Sequence, residues 1–133
     1  MIDFQKYTKF VDAVTSGESK YSGHFQDRLR DLYSKDFDSH RALTAALGLC
    51  AESGEFTEIV KKIVFQGKPV TEENIFHMKR ELGDIMWYVA NACMALEISF
   101  DDVISTNVKK LEKRYPGGSF DVHYSENRQE GDL

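Results

Sequence analysis

The sequence predicts an all-α fold, an antiparallel bundle of about four to five helices. Three observations carry this. Apolar residues recur every three or four positions along most of the chain. The breaks between these stretches are short and hold Gly, Pro or a capping residue. The alternation of apolar and polar residues that marks a strand is almost absent.

Phe4, Tyr7, Phe10, Val11 and Val14 give a first helix over about residues 3–15. The segment 16–37 is less regular: Gly17, Ser19, Ser22 and Gly23 suggest a break, and Phe25 to Tyr33 reads as a short helix or an ordered loop. Asp38 or Ser39 caps the next helix, which runs to Gly67, with Pro69 beyond it. Its apolar positions include Leu43, Ala46, Leu47, Cys50, Phe56, Ile59 and Ile63. Thr71 caps a third long helix, and Glu72 and Glu73 suit its first turn. Ile75, Met78, Leu82, Ile85, Met86, Val89, Cys93 and Leu96 form its apolar face. Ser99-Phe-Asp-Asp102 resembles a capping box with Asp in place of Glu, and a fourth helix follows to about Arg114. Tyr115-Pro-Gly-Gly118 stops it. The stretch 121–133 reads as a polar tail, either loose or an arm lying on a partner subunit.

A length of 133 residues suits one domain. With 22 acidic and 17 basic residues the net charge is −5, which argues against a broad nucleic-acid surface. Cys50 and Cys93 lie in apolar helical stretches without a CxxC partner and read as reduced core thiols. The N-terminal residues lack a signal-peptide pattern, and no apolar run is long enough to span a membrane. The expectation is a cytoplasmic protein, or one of the host cytoplasm if phage-encoded, with no membrane and no nucleic-acid partner.

Two acidic pairs carry the functional signal: Glu52-Ser-Gly-Glu55 and Glu81-Leu-Gly-Asp84. Three-residue spacing puts both acids of each pair on one helix face. At about 100° per residue, with Glu52 at 0°, Glu55 falls at about 300°, Ile59 at about 340° and Ile63 at about 20°. The second pair repeats this, with Asp84 at about 300°, Tyr88 at about 340° and Ala92 at about 20° from Glu81. Both pairs thus share the apolar face, and the short connection at 67–70 makes their helices neighbours. Four carboxylates gathered there are costly without a cation. Carboxylate-only ligation suits a hard ion, Mg²⁺ or Mn²⁺. His24, His40, His77 and His123 do not complete the Glu-x-x-His spacing of di-iron bundles, since His77 follows Glu73 by four.

The strings Leu47-Gly-Leu-Cys-Ala-Glu52-Ser-Gly-Glu55, Glu81-Leu-Gly-Asp84-Ile-Met-Trp-Tyr88 and Asn107-Val-Lys-Lys110-Leu-Glu-Lys-Arg-Tyr-Pro116 resemble the MazG-like all-α nucleoside triphosphate pyrophosphohydrolases. The likeness covers about residues 38–120 of a helical domain spanning 1–120. The family more often has a further Glu just before the ExxE; Ala51 stands there. The resemblance implies hydrolysis of a (deoxy)nucleoside triphosphate to the monophosphate and pyrophosphate. It implies Glu52, Glu55, Glu81 and Asp84 as Mg²⁺ ligands and catalytic residues. It also implies a bundle completed by oligomerisation, as a homodimer or homotetramer. Lys110 is the leading phosphate contact by motif, with Asn107 and Arg114 one turn to either side. Lys62 and Lys68 are further phosphate contacts to test, and Tyr88, on the acid face, is placed to bond phosphate or sugar. The competing expectation is a non-catalytic helical module that binds a nucleotide or a protein.

Overall fold

The computed structural model describes residues 2–128. In chain order the helices are α1 (Phe4–Val14), α2 (Gly17–Lys20), α3 (Ser22–Ser34), α4 (Ser39–Gln66), α5 (Glu72–Leu96), α6 (Phe100–Arg114) and α7 (Val122–Glu126). Among the described residues there is no strand, so the all-α expectation holds. The count exceeds the expected four to five because 16–37 holds two helices, and because a short helix forms within the stretch read as a polar tail. Residues 129–133 of that tail lie outside the described residues.

Side-chain caps set the helix starts. Asp3 accepts from the Lys6 N–H, Asp38 from Arg41 at 3.0 Å, Thr71 from Asn74 at 3.2 Å and Ser99 from Asp102 at 3.1 Å. Each satisfies one of the orphan donors of a first turn. Gly67 ends α4 in the left-handed conformation at φ 69. The Gly67 and Lys68 N–H groups both turn back on the Lys62 carbonyl, Lys68 at 3.1 Å, which closes the last turn of the helix.

The centre of the molecule is the antiparallel hairpin of α4 and α5. At one end Asn74 is buried and donates to the Pro69 carbonyl at 2.7 Å, closing the connection. At the other end the Arg41 guanidinium meets the Met94 sulfur at 3.0 Å, joining the start of α4 to the end of α5. Between them the two backbones approach closely at Gly48. A Cβ on Gly48 would lie 2.0 Å from the Tyr88 ring, so only glycine admits that ring against α4.

Outside the hairpin, packing within one chain is sparse. Helix α3 leans lightly on the start of α4, and α1, α6 and α7 have no extended packing against the hairpin among the described residues. The buried apolar residues described are Ala45, Cys93 and Ala95, all small. Cys93 matches the expected core thiol; Cys50 does not, because it is exposed on α4. Leu47, one of the apolar positions expected on that helix, also faces outward. The chain exposes 10812 Å², whereas a compact monomer of 15.2 kDa exposes about 7,100 Å². The apolar stripes read from the sequence are present, but one chain does not cover them.

Candidate functional site

The acidic pairs meet across the hairpin. Glu52 and Glu55 lie on successive turns of α4, and Glu81 faces them from α5. One carboxylate oxygen from each of the three lies within 4.8 Å of the others. Glu52 and Glu81 are partly buried between the helices, whereas Glu55 and Asp84 are exposed. The expectation of four inward-facing carboxylates is therefore met by two, with the other two at the rim. The reason is that α4 and α5 alone cover only the facing sides of each other, and among the described residues no further helix packs along the hairpin over Glu55 and Asp84.

Electrostatics mark the cluster as strained by like charge. The Glu52 carboxyl is pushed above its ordinary 4.5, first by desolvation, then by the charges of Glu55, Asp84 and Glu81, and by a hydrogen bond shared with Glu81. Asp84 lies outside the 4.8 Å group but is close enough to repel Glu52. Among the described residues none of the four acids forms an ion pair. Glu58, further along α4, shows the opposite situation. Lys61 and Lys62 bond it and hold its carboxyl below the usual range. The site thus offers convergent carboxylate oxygens, no histidine and no neutralising lysine, a donor set that fits a hard divalent ion.

The remaining predicted residues do not converge on this cluster within one chain. Lys62 is held by Glu58 at 3.2 Å and sits about 10 Å along the helix axis from Glu55. Lys68 follows Gly67 just past the end of α4. Asn107, Lys110 and Arg114 lie on α6, which does not pack along the acid-bearing hairpin among the described residues. Asn107 is exposed; Lys110 and Arg114 are partly buried. Tyr88 is on the acid-bearing face as expected, but its ring is spent on the helix contact at Gly48, with Trp87 edge-on at 4.8 Å. Gly48 itself was not singled out from the sequence. A glycine in mid-helix was the available signal, but what it makes room for is set by the other helix.

Residues 39–119 match the family described as MazG nucleotide pyrophosphohydrolase domain. A relative, the Gene 37 protein of Mycobacterium phage L5, is 39% identical over 85 residues, which cover 62% of this chain and 75% of that protein. No solved structure gives a significant match. No helix among the described residues is long and apolar enough to cross a membrane.

Proposed function

The chain belongs to the MazG nucleotide pyrophosphohydrolase domain family, and on that premise we propose that it hydrolyses a (deoxy)nucleoside triphosphate to the monophosphate and pyrophosphate. The observation that supports this reading is the carboxylate trio Glu52, Glu55 and Glu81, gathered within 4.8 Å and with no ion pair among the described residues. Glu52, Glu55, Glu81 and Asp84 would hold Mg²⁺, or Mn²⁺ in its place, and a bound ion would supply charge neutralisation for the phosphates and a more acidic water.

Glu52 or Glu55 would orient the attacking water or take its proton. The water adds to the α-phosphorus, the bond to the bridging oxygen breaks, and pyrophosphate leaves. Phosphoryl transfer asks mainly for positioning and charge stabilisation, which assigns Lys110, Asn107 and Arg114 to the phosphates. Since α6 stands off the hairpin within one chain, these side chains reach the carboxylates from the α6 of a second copy. The working protein is therefore a homo-oligomer.

The test is a panel of canonical and modified triphosphates, scored separately for monophosphate and pyrophosphate, with and without Mg²⁺. Glu81→Gln should abolish metal-dependent release while circular dichroism stays helical. Normal turnover in that variant would sink the mechanism. Nucleotide binding without product from any triphosphate would leave a non-catalytic module.

A further inference from the structure

Two apolar surfaces lie outside the site, both built largely by residues that precede the family match. The first is α1. Phe4, Tyr7, Phe10, Val11 and Val14 fall within about 120° of one helix face. All are solvent-exposed, from 40% for Val11 to 70% for Phe4. The second is a groove of about 360 Å³ between α3 and the start of α4, lined mainly by Phe25, Leu29, Leu32, Phe37, Leu43 and Ala46. On α4, Ala46 and Leu43 lie at about 120° and about 180° from Glu52, so the groove opens away from the carboxylates.

The chemistry of the two surfaces narrows what covers them. A small-molecule pocket of this size carries a few convergent polar groups that orient its ligand; here Glu18, Arg28 and Ser39 belong to the lining, but the surface the groove presents is almost wholly apolar. A membrane-surface helix is enriched in Lys and Arg on its polar face, whereas in α1 and its cap Lys6 and Lys9 are balanced by Asp3 and Asp12. The chain's own arm stands away from its own groove. Lys20 Nζ donates to the Asp12 carbonyl at 2.8 Å, tying the end of α1 to α2, and α1 has no extended packing on α3 or α4 of its own chain.

A second copy of the chain answers both surfaces. The area that one chain exposes beyond a compact monomer, about 3,700 Å², exceeds the roughly 1,000–2,500 Å² that each partner of an obligate homodimer buries, so it is ample for a contact between copies. The 11 residues of α1 make a rod of about 16 Å, long enough to span the roughly 10 Å between Phe25 and Leu32 on α3. We propose that α1 is an arm that docks by its apolar face into the α3–α4 groove of a second copy. Exchange of arms in both directions gives a closed two-fold contact, separate from the carboxylate site.

The experiment uses the full chain with Phe10 replaced by the photo-crosslinker p-benzoylphenylalanine. Unlabelled and ¹⁵N-labelled copies are mixed, irradiated and digested. The expected products join residue 10 to the 25–46 stretch, with about half of them pairing one light and one heavy peptide, as random exchange in a two-fold dimer gives. Placing Leu29→Asp in the heavy copies alone should remove links from light arms into heavy grooves. Links from heavy arms into light grooves should persist, which shows that the assembly still forms. Links only between peptides of one isotope would mean the arm folds back on its own chain. Links to another surface, or protection of α1 only by anionic vesicles, would equally overturn the proposal. The readout is position and not turnover, so it stands or falls apart from the proposed hydrolysis.

Discussion

Glu52 is where folding and chemistry conflict most directly. Its raised carboxyl pKa means that the folded, metal-free chain holds this proton to higher pH than the unfolded chain does. The stability linked to that proton is full below the ordinary value of 4.5 and is lost as pH rises through the raised one. Metal-free protein should therefore lose melting temperature across that window, and Glu52→Gln should flatten the loss. Titration of Mg²⁺ by calorimetry should show the matching competition, with affinity falling as pH drops and Glu52 takes its proton. The acids themselves were legible, because ExxE and ExxD spacing and the helical angle need only the local chain. Gly48 was not, because its meaning lies in Tyr88 on another helix. Gly48→Ala should cost about 1–3 kcal/mol by overpacking, read by denaturant titration, since the added Cβ meets the ring at 2.0 Å. Combined with Tyr88→Ala it should cost clearly less than the sum of the two single changes.

At the level of helices, the sequence was most informative where a capping residue and a break coincide. Thr71 and Ser99 start α5 and α6 as expected, and Gly67 ends α4 at positive φ. An alanine there would occupy a left-handed conformation at a cost of about 1–2 kcal/mol, so Gly67→Ala should lower the melting temperature without changing helix content. The segment 16–37 was not legible, because its two helices start at Ser16 and Tyr21 without a side-chain cap bond. Helix α6 illustrates a different limit. Its residues and cap were read correctly, but periodicity says nothing about which helix it covers. If Lys110 serves the carboxylates of a second copy, Lys110→Ala and Glu81→Gln should each be inactive alone. Mixed and allowed to exchange, they should regain up to about a quarter of wild-type activity, since in a two-fold dimer only half the protomer pairs are mixed and each holds one intact site. No recovery in the mixture would place α6 on its own hairpin.

At the scale of the whole molecule, a single chain leaves several apolar stripes exposed. Phe100, Ile104, Val108 and Leu111 form a stripe along α6 that is 38–47% exposed. Ile75, Leu82 and Met86 do the same on α5 at about half exposure. If these stripes faced solvent in the working protein, a charge placed on one would shift stability by no more than about 0.5 kcal/mol, as ordinary surface changes do. If they close a bundle between copies, the same charge removes a buried contact from every protomer. Folding is then linked to association, so stability depends on protein concentration. The wild-type melting temperature should accordingly rise with concentration over a hundredfold range, and light scattering should give a mass above 15.2 kDa. Ile104→Asp should depress the melting temperature by several degrees, shift the mass toward the monomer and reduce pyrophosphate release together. A variant that loses neither mass nor stability would return α6 to the solvent and leave Lys110 without a route to the carboxylates.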